Sequence, residues 1–122
     1  MTIDLKSKSS LILGGTSDLG LAIGKSFQQA GTHVTLAGRD ESKLLLCSKQ
    51  LNTASSTLAF DLQNKSQVHE TLSNLETLPD IVVHAQGWNL GIHEPMAQVS
   101  DWEKVFQLNF FCNNIFLIIF TN

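Results

Sequence analysis

The sequence predicts an α/β fold with a parallel β-sheet, because three features of the chain agree. Four short apolar segments have the length of buried strands. Segments with apolar residues every three or four positions, typical of one helix face, stand between them. Glycine or proline marks several of the junctions. Parallel strands need long crossover connections, usually helices, so this alternation predicts a doubly wound sheet with helices on both faces.

The first strand and helix give the clearest pattern. Residues 9–13, SSLIL, form the first predicted strand, and the glycine-rich turn LGGTSDLG at 13–20 follows it. Gly31 is predicted to end the next helix as its C′ residue. The apolar residues that define this helix by their spacing are Leu19, Ala22, Ile23, Phe27 and Ala30.

The later elements repeat this order. The second, third and fourth predicted strands are THVTLAG at 32–38, STLAFDL at 56–62 and DIVVHAQG at 80–87. Helices are predicted after the second and third of them, at 40–51 and 65–75, and Pro79 stops the latter. Residues 87–100 are predicted to form a loop over the carboxyl edge of the sheet, where ligands bind in such folds. A last helix is predicted from Asp101, with Ser100 as its N-cap.

Composition restricts the class of protein. The 122 residues suit one domain, and with 43% hydrophobic and 16% charged residues the chain is expected to fold around a core. A net charge of −3, with scattered lysines, makes nucleic acid a poor partner. The longest apolar run, IFLIIF at 115–120, is far below the roughly 20 residues of a membrane span, and the start lacks a signal sequence. We therefore expect a cytoplasmic protein.

The cysteines and histidines do not form a metal-binding pattern. Cys47 and Cys112 are distant in sequence and are expected to be free thiols in a reducing compartment. The four histidines show no ligand spacing, so no metal site is expected; they are His33, His69, His84 and His93.

The turn at 13–20 is the first candidate site. A helix N-terminus with glycines before it favours a pyrophosphate, because unpaired backbone N–H groups and the helix dipole attract anions. Gly14 and Gly20 would allow close approach, and the hydroxyls of Thr16 and Ser17 would bind phosphate or ribose oxygens. Asp18 is expected to cap the helix rather than face the phosphates. The alternative is a strand-to-helix corner without a ligand.

The end of the second predicted strand indicates which dinucleotide would bind. In dinucleotide-binding folds an acidic residue there binds the ribose 2′-hydroxyl, whereas an arginine accommodates a 2′-phosphate. Arg39, the only arginine in the chain, therefore favours NADP(H) over NAD(H). In the alternative, Arg39 is solvated and Asp40 caps the next helix; Asp40 or Glu41 would also suit a 2′-hydroxyl.

Taken together, these motifs resemble the first half of a short-chain dehydrogenase/reductase. The family pattern G-x-x-x-G-x-G aligns with Gly14, Asp18 and Gly20, so that aspartate replaces the middle glycine. The resemblance implies a Rossmann-like sheet of strand order 3-2-1-4, with residues 1–122 as a single, incomplete NAD(P)-binding domain. It also implies that the segment 14–20, including Leu19, contacts the cofactor.

The later family motifs follow in order. Asp61 and Leu62 match the family position that contacts adenine. HAQG at 84–87 stands where the family has Asn-Asn-Ala-Gly, so the resemblance puts Ala85, Gln86 and Gly87 beside the cofactor, although only Gly87 keeps the family residue. Asn109 matches the family asparagine whose helix bends around a water that relays protons to the catalytic lysine; without the resemblance it is a buried amide with satisfied hydrogen bonds.

The resemblance also implies a missing part. The family protonates its substrate with a tyrosine, helped by a lysine four residues later and a serine, and this chain contains no tyrosine. We expect the cofactor half of an oxidoreductase acting on a carbonyl or alcohol, inactive alone, whose last helix meets a partner chain or another copy. The alternative function is a non-catalytic NAD(P)-binding module or sensor. A methyltransferase or flavodoxin-like domain is a third, weaker interpretation.

Overall fold

The computed structural model describes residues 4–51, 55–86 and 98–106. In this part of the chain, strands and helices alternate as the sequence predicts. The elements are β1 (Ser9–Leu13), α1 (Asp18–Gln29), β2 (His33–Gly38), α2 (Glu41–Ser48), β3 (Ser56–Ala59), α3 (Lys65–Ser73), β4 (Ile81–His84) and α4 (Val99–Phe106).

The four strands form one parallel sheet in the order β3-β2-β1-β4. Leu13, the last residue of β1, lies opposite Ala37 on β2 and His84 on β4. The carboxyl ends of these three strands therefore meet at one edge of the sheet. The predicted Rossmann-like fold and strand order are confirmed.

Two compact units make up the chain. The first, drawn from Met1–Phe60 and Thr77–Gln86, contains the whole sheet together with α1 and α2. The second, drawn from Asp61–Glu76 and Gly87–Asn122, contains α3 and α4, and its residues Leu62, Val68 and Leu72 are buried.

The core of the first unit lies around the central strands. Ile12, Val34 and Leu36 are completely buried, as expected where parallel strands have both faces covered. Burial of each such side chain stabilises the fold by about 1.5–3 kcal/mol. The cluster also contains Leu44, Cys47 and Leu51, and the partly buried residues packed against it are Leu21, Ile23, Phe27, Val83 and Ala85.

The ends of α1 follow from local chemistry. Gly31 has a φ of 96°, and its N–H donates to the carbonyl of Gln28 at 3.0 Å, which confirms it as the C′ glycine.

Within the described residues, no helix is long and apolar enough to cross a membrane.

Several predicted boundaries are wrong: α2 ends at Ser48 rather than at residue 51, and β4 ends at His84 rather than at residue 87. The third strand ends at Ala59 rather than at residue 62: Phe60 still donates its N–H to Gly38, and a turn then begins at Asp61. The last helix begins at Val99, so Ser100 lies inside it and is not its N-cap. The carbonyl of Gln98 instead accepts the N–H of Asp101, at 3.0 Å.

Candidate functional site

The turn between β1 and α1 is held by backbone hydrogen bonds to the neighbouring strand. The N–H groups of Gly14 and Gly15 both donate to the carbonyl of Ala37, at 3.1 and 3.0 Å. The N–H of Ser17 donates back to the carbonyl of Gly14 at 3.1 Å. These bonds fix the direction in which the chain leaves the sheet and enters α1.

Gly14 and Gly20 are both required by the geometry of this turn. Gly14 has a φ of 79°, and a Cβ there would lie 2.6 Å from the amide nitrogen of Gln86. A Cβ on Gly20 would collide with the carbonyl oxygen of Gly14. A side chain at either position would therefore break the turn.

Ser17, not Asp18, is the N-cap of α1, so the predicted capping role of Asp18 is wrong. The Ser17 hydroxyl accepts the N–H of Gly20 at 3.0 Å and donates to the carbonyl of Gly14 at 2.8 Å. Asp18 is the first residue of the helix and is exposed. Its carboxylate still lies near the positive end of the helix dipole, where a negative charge is favourable.

The amino end of α1 has the properties of an anion site. The first N–H groups of a helix lack intrahelical partners; Ser17 satisfies that of Gly20, and among the described residues those of Asp18 and Leu19 are not bound by a side chain or another backbone group. Leu19 is 63% exposed, and Thr16 is partly buried. Backbone N–H donors at the first turn of a helix, after a glycine-containing turn, suit a pyrophosphate group.

Arg39 lies beside this turn. It follows Gly38, where a Cβ would lie 3.7 Å from the Thr16 methyl carbon, so the turn and the end of β2 are neighbours. Arg39 is exposed. Asp40 is the N-cap of α2 and accepts the N–H of Lys43 at 3.1 Å, which confirms the capping alternative for Asp40.

Asp61 and Leu62 form a turn after β3, in the second unit. The Asp61 carboxylate accepts the N–H of Gln63 at 2.9 Å, and the Asp61 N–H donates to Oε1 of Gln67 at 3.0 Å. Leu62 is buried. Sequence reasoning missed Gln67, although its position three residues after the N-cap Asn64 is the capping-box spacing and could have indicated it.

The segment after β4 approaches the glycine turn. Ala85 donates its N–H to the carbonyl of Leu13 at 2.8 Å, which extends the pairing of β1 and β4. Gln86 Nε2 lies 3.1 Å from Nδ1 of His84. Since an amide nitrogen only donates, this contact requires Nδ1 as the acceptor, which holds for a neutral imidazole with its proton on Nε2.

The ionisation of His84 agrees with this contact. Burial lowers the pKa of His84 below its ordinary value, even though part of its side chain is exposed.

Some predicted site residues lie outside the described residues, namely Gly87 and Asn109. The same holds for Cys112 and for the greater part of the predicted loop at 87–100.

Comparison with known proteins identifies the family. The model of the short chain dehydrogenase family matches residues 8–116. An uncharacterized oxidoreductase of Staphylococcus epidermidis is 30% identical over 108 residues, covering 86% of this chain and 47% of that protein. A Haemophilus influenzae protein named "Probable NADP-dependent dehydrogenase" is 33% identical over 113 residues, covering 86% and 43%. The chain thus spans about half the length of the curated relatives it matches.

Solved structures show the same fold. A short-chain type dehydrogenase/reductase from Mycobacterium ulcerans superposes with a TM-score of 0.83 at 20% identity, over 96% of this chain and 46% of that one. L-Sorbose reductase from Gluconobacter frateurii, solved with NADPH and L-sorbose, gives 0.80 at 21% identity, over 94% and 46%. Since the family model covers most of the sequence and the sheet has the family's order, the chain belongs to the short-chain dehydrogenase family.

Proposed function

We propose that this chain binds NADP(H) as the cofactor-binding part of an oxidoreductase that transfers hydride between nicotinamide and a carbonyl or alcohol carbon. The observation that carries the proposal is the turn before α1, where neither Gly14 nor Gly20 tolerates a Cβ. Such a turn, at a helix N-terminus, brings backbone N–H groups against a pyrophosphate. When bound, the nicotinamide supplies the hydride chemistry, and the protein supplies binding and orientation.

The residues of the chain divide into three groups around this ligand. The pyrophosphate is bound by the turn, whose members are Gly14, Thr16, Ser17, Asp18, Leu19 and Gly20. Asp61 and Leu62 contact the adenine, and Ala85, Gln86 and Gly87 lie beside the cofactor. The Ser17 hydroxyl stabilises the turn itself, because its proton is already donated to Gly14.

The preference for NADP(H) rests on Arg39. A guanidinium suits a 2′-phosphate, and Arg39 is exposed at the end of β2. Asp40, the nearest carboxylate in sequence, caps α2 and is thus engaged elsewhere. The name of the Haemophilus influenzae relative and the NADPH in the sorbose reductase structure support the same choice.

Arg39→Glu tests the cofactor assignment. Loss of a charge-assisted hydrogen bond corresponds to about 1.5–3 kcal/mol, so the NADPH dissociation constant should rise at least about tenfold. Calorimetric titration should show little change for NADH, which has no 2′-phosphate. Lys49→Glu, the same charge reversal at another exposed position, is the control. An equal loss for both dinucleotides would contradict the 2′-phosphate role.

Catalysis by the 122 residues alone is not expected. The chain contains no tyrosine, the residue that protonates the substrate in this family. Asn109 is proposed to serve the proton relay in a complete enzyme. The last helix is proposed to contact a partner chain or a second copy, and the protein to be cytoplasmic.

A second candidate function is a non-catalytic NAD(P)-binding module or sensor. The coding sequence after residue 122 separates the two candidates. A following serine strand and Tyr-x-x-x-Lys motif, even in another reading frame, would support the oxidoreductase. Their absence would support the module.

A further inference from the structure

The turn between β3 and α3 is closed by a short network of hydrogen bonds around Asp61. Its carboxylate Oδ1 accepts the N–H of Gln63 at 2.9 Å, and its carbonyl accepts the N–H of Asn64 at 3.0 Å. Its own N–H donates to Oε1 of Gln67 at 3.0 Å. Asn64 in turn caps α3 by accepting the backbone N–H of Gln67 at 3.1 Å.

Gln67 occupies the third position of α3 but does not complete an ordinary capping box. In an ordinary capping box, the side chain at the third helical position accepts the N–H of the N-cap residue. Here the N–H of Asn64 already donates to the Asp61 carbonyl, and the Gln67 side chain extends three residues further, to Asp61 itself. Gln67 therefore ties the backbone of Asp61 to the first turn of the helix.

The network determines which carboxylate oxygen remains available. The bond from Gln63 engages Oδ1, and the bond to Gln67 fixes the backbone from which the carboxylate projects. Oδ2 is the oxygen that this turn does not use. A carboxylate oxygen held in a fixed direction discriminates between an amino group, which donates to it, and a carbonyl group, which repels it.

We propose that Gln67 is a positioning residue that gives the site its selectivity for adenine, by holding Asp61 so that Oδ2 accepts the adenine 6-amino group. This inference rests on the proposed function, in which Asp61 contacts adenine. Gln67 does not contact the ligand; it acts through the Asp61 backbone. Hypoxanthine, with a 6-oxo group in place of the amino group, is the base that the arrangement selects against.

Three variants isolate the hydrogen bond. Gln67→Met keeps the length and the helix propensity of the side chain but removes the acceptor. Gln67→Glu keeps an acceptor oxygen at the same position and should keep the hydrogen bond to the Asp61 N–H; because it adds a negative charge beside Asp61, it serves the hydrogen-exchange readout only. Gln29→Met makes the same replacement at an exposed position of α1 and serves as the control. Gln67 is itself exposed, so these changes disturb little packing.

The experiment uses the full chain and two readouts. Amide hydrogen exchange of Asp61 should accelerate about three- to tenfold in Gln67→Met, the factor for one neutral hydrogen bond, and stay slow in Gln67→Glu. Titration of the wild-type chain with NADPH and with its hypoxanthine analogue should give the lower dissociation constant for NADPH. In Gln67→Met the NADPH dissociation constant should rise about three- to tenfold while that of the analogue stays within about twofold.

The outcomes separate this inference from the proposed function. If the wild-type chain binds neither dinucleotide, the proposed function fails and the inference fails with it. A second outcome is that NADPH binds while Gln67→Met raises both dissociation constants equally or changes neither of them. In that case the proposed function stands, and Gln67 does not position Asp61 for adenine. Unchanged Asp61 exchange in Gln67→Met would overturn the inference without any ligand.

Discussion

The α-carbon of Gly14 lies directly against the backbone of Gln86. A Cβ on Gly14 would lie 2.6 Å from the Gln86 nitrogen and 2.8 Å from the carbonyl carbon of Ala85. This contact joins the turn after β1 to the segment after β4, two adjacent strands whose carboxyl ends are paired. Two of the segments by which the sequence resembles its family are therefore in contact, and only a glycine at residue 14 allows it.

Gly14→Ala should destabilise the fold strongly. The substitution combines a φ of 79°, unfavourable for any residue with a Cβ, with a clash against backbone that no side-chain rotation relieves. Backbone strain and overpacking each cost about 1–3 kcal/mol, so we expect a loss of about 2–4 kcal/mol in the free energy of unfolding. Urea unfolding followed by far-ultraviolet circular dichroism measures it.

Gly38→Ala is the matched control for that experiment. Its Cβ would find ordinary contacts, 3.6 Å from a Leu44 methyl and 3.7 Å from the Thr16 methyl. The free energy of unfolding should change by less than about 1 kcal/mol. Comparable losses in the two variants would show that the close approach of Gly14 and Gln86 is not what requires glycine.

The cap of α1 can be tested by comparing two neighbouring residues. Ser17→Ala removes the hydroxyl between Gly14 and Gly20 and should cost about 1–2 kcal/mol of unfolding free energy. Asp18→Asn removes only a favourable charge–dipole interaction and should cost about 0.3–1 kcal/mol. Thermal or urea denaturation shows which of the two variants loses more unfolding free energy. A larger loss for Asp18→Asn would mean that Asp18, rather than Ser17, is the more important N-terminal residue.

Asp18→Asn should also preserve or improve cofactor affinity. The carboxylate is exposed at the proposed pyrophosphate site, where it repels a like charge. We expect NADPH to bind at least as tightly as to the wild type, with any gain largest at low ionic strength because salt screens the repulsion. Titrations at about 20 mM and 300 mM salt measure this. A large loss of affinity would show that the Asp18 side chain itself binds the ligand.

Sequence periodicity predicts the element order well but does not predict the N-cap of α1. The sequence of strands and helices and the C′ glycine at Gly31 follow from apolar spacing and from glycine's freedom at positive φ, whereas the strand order comes from the resemblance to the family. Serine and aspartate are equally good N-caps, so propensity alone cannot choose between Ser17 and Asp18. The turn decides, because the Ser17 hydroxyl lies between the carbonyl of Gly14 and the N–H of Gly20.

The candidate site is predictable where backbone conformation determines the residue. Gly14 and Gly20 belong to this class, since their surroundings exclude a Cβ. The contacts of Gln67 with Asp61 and of Gln86 with His84 depend on side-chain rotamers, which no periodic pattern encodes. The functional roles remain predictions.

Asp80 should make stability fall in acid. Its pKa is held below the ordinary 3.8 mainly by the backbone N–H of Ser9, at 2.8 Å; desolvation opposes this, and the Ser9 hydroxyl and Lys8 add to it. A carboxyl whose pKa is lower in the folded state stabilises the fold above its unfolded pKa and loses that contribution as pH falls through the folded value. Wild-type urea midpoints should therefore fall below about pH 4 more steeply than those of Asp80→Asn.

Glu76→Gln, a change of one exposed carboxyl, is the control for the acid profile. It should keep the wild-type slope, because the effect belongs to the Ser9 contact rather than to net charge. Parallel profiles for the wild type and Asp80→Asn would contradict a stabilising role for the Asp80 carboxylate.

His84 should make stability depend on pH in a separate, higher range. Burial lowers its pKa below the ordinary 6.5, and the bond from Gln86 requires an unprotonated Nδ1. Between the folded and unfolded pKa values the unfolded chain binds more protons, so stability rises with pH through this window and falls when the solution is acidified below about pH 6.5. His84→Asn, which cannot titrate, should lose this part of the slope while keeping the acid transition of Asp80. Nitrogen NMR of the wild-type imidazole should show the proton on Nε2 at pH 8; a proton on Nδ1, or an unchanged slope in His84→Asn, would contradict the proposed contact with Gln86.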